Sequence, residues 1–227
     1  YKITAIVSYN SVLSMTNLVS KYHLVRKRCI YLRIYSSYDS FNPEVVKINI
    51  RQHKISIGSQ YEILVEQNEK YYAETDLFSR KIIHLYLKKD LIKRITIFKS
   101  FYFFTPDYKI ELPNGNRIKF QTLSHWQTYF KCVLENDIYE VYRHRKRKIS
   151  IYKNGLQIGA CKKNNVTIFA GDNYELILDR DTEVELLISF LLILDNMTSK
   201  NRGNIITLDI GLIFKEFKKF DANWKPK

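Results

Sequence analysis

Residues 186–194 read Leu-Leu-Ile-Ser-Phe-Leu-Leu-Ile-Leu and carry one polar side chain, Ser189. An amphipathic surface helix would place polar residues at every third or fourth position, and this stretch does not. Thr182 and Glu185 stand just before it with the spacing of a capping box, in which hydroxyl and carboxylate each satisfy a free backbone N–H. The sequence therefore predicts a helix over residues 183–196 that is buried on every side.

This predicted helix is too short to cross a bilayer. At ~1.5 Å per residue it would span about 21 Å, whereas the hydrocarbon core of a membrane is about 30 Å thick. Burying each large apolar side chain inside the protein instead contributes about 1.5–3 kcal/mol. Because a single sheet covers only one side of a helix, we expect a sheet that wraps around it.

The region before the helix has the pattern of many short strands. Apolar and polar residues alternate over 46–50, and the dipeptides Asn114-Gly115 and Asn154-Gly155 supply the positive φ angles of hairpin turns. Further strands are predicted at 61–65, 81–87, 94–98, 107–112, 117–121, 126–134, 138–142, 148–153, 156–161, 166–169 and 174–178. About a dozen strands at ~8–12-residue spacing predict a sandwich or a barrel.

This order of elements resembles the tubby C-terminal-like superfamily, which includes tubby proteins, phospholipid scramblases and LURP-one-related proteins. The resemblance rests on the run of strands, the hairpin 149–159, the strand 173–176 and the apolar helix 187–195, and is nearest to the small bacterial members. It implies a mainly β fold, a closed antiparallel β-barrel of about 12 strands around a central buried hydrophobic α-helix. It also implies a non-enzymatic module that recognises anionic phospholipid headgroups.

The barrel is predicted to occupy residues 45–227, with 197–227 as a C-terminal extension beyond the helix. Residues 1–44 are predicted to form an N-terminal extension, where Val12, Met15, Val19 and Tyr22 recur at roughly helical spacing. Residues 3–19 lack the continuous apolar core of a signal peptide. We therefore expect a cytoplasmic protein that can associate with a membrane at its periphery.

The chain is strongly basic, with 37 Lys and Arg against 23 Asp and Glu, a formal net charge of +14. Such a charge attracts polyanions without choosing between nucleic acid and an anionic membrane surface. The strongest local feature lies between two predicted strands and gives the candidate anion-binding residues Arg143, Arg145, Lys146, Arg147 and Lys148. A solvated turn that keeps the barrel rim soluble is the alternative interpretation. Three smaller clusters, Lys88-Lys89, Lys93-Arg94 and Lys162-Lys163, would matter only on the same face.

The sequence contains no recognisable catalytic, cofactor or metal motif. Its five histidines are scattered without ligand spacing, and its three cysteines, Cys29, Cys132 and Cys161, are far apart. The acidic cluster formed by Asp179, Asp181, Glu183 and Glu185 lies where a helix start favours negative charge. We therefore expect no enzymatic activity, no cofactor, no metal, and a reduced compartment.

Three kinds of partner remain open at this point. The first is an anionic phospholipid or membrane surface, which the resemblance implies. A protein-interaction or scaffold role and nucleic-acid binding are the alternatives, and the oligomeric state stays open. Near the C-terminus, 212–214 with Phe217 and Phe220 line one face of a possible short helix. That helix would plug the barrel or lie on a membrane.

Overall fold

The computed structural model of the chain describes residues 45–55, 58–76, 81–102, 105–124, 126–164, 172–199 and 217–227. The chain divides into two units, residues 1–43 and 44–227. The first unit, with the helical spacing predicted in it, lies outside the described residues.

The strands of the second unit close into one antiparallel barrel of twelve strands. Each strand pairs with its neighbours in sequence, and β1 closes the ring by pairing with β12, where Val46 lies opposite Leu178. The strands are β1 (Val45–Ile55), β2 (Gly58–Val65), β3 (Asn68–Thr75), β4 (Ile82–Leu87), β5 (Ile92–Tyr102), β6 (Thr105–Glu111), β7 (Arg117–Thr122), β8 (Tyr129–Leu134), β9 (Asp137–His144), β10 (Lys148–Lys153), β11 (Leu156–Asn164) and β12 (Asn173–Asp179). The predicted mainly β class and closed barrel are confirmed.

Helix α1 (Val184–Ser199) runs through the inside of this barrel. Every residue from Leu186 to Met197 is buried, in one core with the inward side chains of the strands. Phe190 packs on Phe120 of β7 and Tyr139 of β9, with ring centroids 4.9 and 6.0 Å apart. Near the other end of α1, Asp195 is hydrogen-bonded by β1, β2 and β12. The helix therefore meets strands on all sides, which confirms the prediction of a central buried helix.

The predicted capping box is wrong. The Thr182 hydroxyl donates to the carbonyl of Asp179 at 2.8 Å, and the Glu185 carboxylate accepts from Arg94 Nε at 2.9 and 3.2 Å. A charge-assisted bond from a guanidinium is stronger than one from a neutral backbone N–H, so Glu185 turns toward β5. The helix also continues to Ser199, past the predicted end at residue 196.

Two strand predictions differ from the structure. β8 begins at Tyr129 and not at Trp126, because Gln127 has φ 53°, a left-handed turn conformation that breaks a strand. β3 was not predicted, since its sequence Asn-Glu-Lys-Tyr-Tyr-Ala-Glu-Thr is rich in residues that strands disfavour. Its inward residues Tyr71, Ala73 and Thr75 are nevertheless buried. The strand predicted at 166–169 lies outside the described residues.

The two Asn-Gly turns have different geometries. Asn154 and Gly155 have φ 51° and 81°, the pair of positive angles predicted for a tight hairpin. In the turn between β6 and β7 only Gly115 is left-handed, at φ 82°. There the loop is longer, and Leu112 N donates to Asn116 O at 2.9 Å.

Candidate functional site

Neighbouring strands alternate in direction, so successive connections lie at opposite ends of the barrel. The two ends carry different groups. At one end α1 begins, and the Glu183 carboxylate accepts a hydrogen bond of 2.6 Å from Tyr139, near the start of β9. At the other end α1 finishes, and Asn196 accepts a bond of 3.2 Å from Tyr108 of β6, the strand that begins at that end. We call this second end, which includes the connections 123–128 and 145–147, the basic end.

The predicted basic segment forms the connection between β9 and β10. Arg145, Lys146 and Arg147 make a single 3₁₀ turn and are all exposed. Lys146 and Arg147 have φ 56° and 58°, a left-handed backbone that costs roughly 1–2 kcal/mol per residue with a Cβ. Backbone strain of this kind is concentrated at functional sites.

The structure separates the five predicted anion-binding residues into three groups. Arg145, Lys146 and Arg147 lie together in the exposed turn. Lys148 lies on the outer wall, with its Nζ 4.5 Å from the centre of the Phe220 ring. Arg143 follows the alternation of Tyr139 and Val141, both in the core, so it points into the barrel. Sequence alone could not make this division, because it depends on which face of β9 is inward.

Exposed apolar side chains lie in the neighbouring connection at the same end of the barrel. Leu123 and Trp126, in the connection between β7 and β8, are 48% and 54% exposed. This connection is tied to β9, because Arg143 N donates to Thr128 O at 2.9 Å. Phe217 is 61% exposed, with its ring centroid 5.7 Å from that of Tyr129 on the next strand. We did not predict this apolar surface, since Trp126 was placed inside a strand.

A buried polar network lies just inside the basic end, around the Asp195 carboxylate. Asp195 is 1% exposed and accepts hydrogen bonds of 2.8 Å from Gln52 and Tyr61 and a short one from Tyr174. Burial and the Asp195 charge raise the pKa of the Tyr61 and Tyr174 hydroxyls, which therefore remain donors. Lys163 Nζ lies 3.7 Å from Asp195 Oδ1. The last polar residues of the helix are thus fixed to the barrel wall.

Lys163 and Arg143 are the two inward cations closest to this network along the sheet, and they differ in their partners. Lys163 Nζ lies 2.8 Å from Asp172 Oδ2 and is 12% exposed. Arg143 Nη1 donates to Gln127 O at 3.4 Å, a long and weak bond. Burial lowers the pKa of the Arg143 guanidinium, and the nearby Tyr174 opposes this effect. Arg143 is therefore a half-buried cation that is poorly compensated by the described part of the protein.

Two of the smaller basic clusters do not share the basic end. Lys88 and Lys89 lie in the connection between β4 and β5, at the end where α1 begins, and Lys88 is paired with Glu69. Arg94 is bound to Glu185 of the first helical turn. In the third cluster, Lys162 is exposed on β11 and Lys163 points inward.

The described end of the chain lies on the outer wall of the barrel. Lys218 Nζ stands 3.4 Å from the centre of the Tyr152 ring and 5.4 Å from that of Tyr142. Trp224 Nε1 donates to Gln157 O at 3.1 Å. Phe217 and Phe220 are therefore on the outside, so a role for them in plugging the barrel is wrong. Residues 212–214 lie outside the described residues.

The described cysteines are packing residues. Cys132 and Cys161 are buried and free, and burial raises the pKa of the Cys132 thiol to about 12 and also raises that of Cys161. Within the described ranges, no three His, Cys, Asp or Glu side chains converge as a metal site would require. In those same ranges, no helix has the length and apolar character needed to span a membrane.

Comparison with known proteins returns no match from protein-family models, from curated proteins or from solved structures.

Proposed function

We propose that the protein is a non-enzymatic binding module that docks its basic end on anionic phospholipid surfaces. The observation that supports this most directly is the exposed turn Arg145–Arg147 beside the exposed side chains of Leu123 and Trp126. Surfaces that bind membranes peripherally combine basic residues for the lipid phosphates with Trp, Phe or Leu for the interfacial region.

Electrostatic attraction would bring the basic end to the membrane. Each Lys or Arg near an anionic surface contributes about 1 kcal/mol. The turn holds three such residues at one point of the barrel rim. Removing all three charges should therefore weaken binding by about 3 kcal/mol, roughly a hundredfold.

The apolar side chains would then enter the membrane interface and add a contribution to binding that does not depend on charge. Trp is preferred at membrane–water interfaces because its ring is amphipathic. Trp126 and Leu123 are about half exposed, so they can enter the headgroup layer without unfolding the connection that carries them. Phe217 adds a third apolar group on the outer wall.

Co-sedimentation with liposomes tests this proposal. The full chain should pellet with vesicles that contain phosphatidylserine and stay in solution with pure phosphatidylcholine, and added salt should release it. Replacing Arg145, Lys146 and Arg147 together with Ala should abolish pelleting.

The matched control removes three lysines from the opposite end of the barrel, Lys88, Lys89 and Lys93. That variant has the same net charge as the first and should still pellet. Equal pelleting of the two variants would show that net charge, and not the basic end, is responsible. Negligible pelleting of the parent, with tight binding to labelled RNA or DNA, would replace the lipid by a nucleic acid.

A further inference from the structure

Arg143 occupies an unusual position for an arginine. It points into the barrel at the basic end, opposite Ile149 of the core on β10. A guanidinium has five N–H donors, and in the described part of the chain it makes one hydrogen bond, the long one to Gln127 O. Withdrawing a cation from water without a counter-charge is unfavourable.

The two buried carboxylates inside the basic end are bonded to other groups. Asp172 holds Lys163 at 2.8 Å, and Asp195 is bonded by Gln52, Tyr61 and Tyr174. No ion pair joins either carboxylate to Arg143 among the described residues. Apart from the bond to Gln127 O, the donors of Arg143 have no hydrogen-bond partner among the described residues.

We propose that Arg143 is the base of a phosphate subsite inside the mouth of the basic end, and that it receives a terminal phosphate monoester. The planar fork of a guanidinium binds two phosphate oxygens at once, which a lysine ammonium does not. Arg143 is only partly buried, so a terminal phosphate could reach it, whereas a phosphodiester carries substituents on both sides that the barrel wall would obstruct. The Arg145–Arg147 turn begins two residues further along the chain and adds to the attraction for a dianion.

That the phosphate monoester belongs to a lipid rests on the proposed function, whereas binding of a phosphate monoester by Arg143 does not. The first experiment therefore compares vesicles that contain phosphatidic acid, a monoester, with vesicles that contain phosphatidylserine, a diester, adjusted to the same zeta potential. The parent should bind phosphatidic acid about tenfold more tightly, the change expected from one charge-assisted hydrogen bond or more.

Variants assign this preference to Arg143. Arg143→Met should weaken binding to phosphatidic acid more than binding to phosphatidylserine and so remove the preference, and Arg143→Lys should restore only part of the preference. Lys146→Ala, in the exposed turn, should weaken both kinds of binding to the same extent. A parent that binds both kinds of vesicle equally tightly, or an Arg143→Met variant that keeps the preference, would overturn the proposal. Far-UV circular dichroism and thermal melting confirm that each variant is folded.

A soluble monoester separates this inference from the membrane proposal. Glycerol 1-phosphate should raise the melting temperature of the parent in a saturable way, as any ligand that binds only the native state does. The Arg143→Met variant should show no such shift. If no vesicle binds and glycerol 1-phosphate still stabilises the parent through Arg143, the subsite holds and the membrane role fails. If glycerol 1-phosphate gives no shift, the subsite fails, whatever the vesicles show.

Discussion

The substitution Leu191→Ala tests the architecture on which the basic end depends. Leu191 is 1% exposed in the middle of α1, and its neighbours Phe190 and Leu192 are equally buried. In a core that cannot collapse, Leu→Ala substitutions cost about 2.7–5.0 kcal/mol, because a cavity remains where the side chain was. A helix surrounded by a closed ring of strands has little freedom to move into such a cavity. We therefore expect a cost in the upper part of this range.

Urea unfolding followed by far-UV circular dichroism measures this cost. With a slope of about 2 kcal/mol per M, a cost in the upper half of this range should lower the midpoint by ~1.9–2.5 M while the slope stays constant. Leu156→Ala is the matched control, because Leu156 is 68% exposed; it should change stability by about 0.5 kcal/mol or less. A midpoint for Leu191→Ala that falls no further than that of Leu156→Ala would refute the central helix. Leu191→Asp, which buries an unpaired charge, should prevent cooperative folding altogether.

Two further predictions concern the polar groups at the ends of the helix. Asp195→Ala should cost about 3–5 kcal/mol in the same unfolding assay, because several buried donors lose their acceptor together; a cost below that of Tyr61→Phe would contradict the network. Burial alone would raise the pKa of Glu183, but hydrogen bonds from Tyr139 and Lys153 outweigh it, and the pKa lies below the usual 4.5. A carboxyl whose pKa is depressed in the folded state stabilises the protein at pH values above its unfolded-state pKa. This stabilisation is lost as the pH falls through the folded-state pKa. Acid titration should therefore destabilise the parent more steeply than the Glu183→Gln variant.

The fold was largely predictable because two simple patterns agree. Alternation over short segments and an apolar run such as 186–194 are both direct consequences of burial. We did not predict β3 for two reasons. Its sequence contains Glu and Lys, and Tyr71 and Ala73 alone do not make a strong alternating pattern. The capping box failed because Arg94, a residue distant in sequence, binds Glu185. A capping rule based on local sequence fails where a residue distant in sequence makes a stronger contact with the capping side chain.

The sequence predicted which basic residues form the candidate site but not how they are arranged. A run of basic residues from 143 to 148 is visible in the sequence, but its division between exterior and interior depends on register. A β-strand turns successive side chains to opposite faces, so Arg143 and His144 are adjacent in the chain and lie on opposite sides of the wall. The apolar neighbours Leu123 and Trp126 join the basic turn through pairing of β8 with β9. That contact connects residues about twenty positions apart and leaves no local signal.

The filled interior limits what this barrel can recognise. Because α1 is buried from Leu186 to Met197 and Asp195 is bonded to the surrounding strands, a ligand cannot pass along the axis as it does in barrels with an empty centre. A ligand that approaches the inside of the barrel can therefore reach only the rims. In the proposed mode of binding, the exposed turn Arg145–Arg147 would meet such a group first, and only a small terminal anion would continue inward to Arg143. The order of these two contacts follows from the helix that fills the barrel. A surface rich in anionic lipid that presents phosphate monoesters would therefore satisfy both contacts at once.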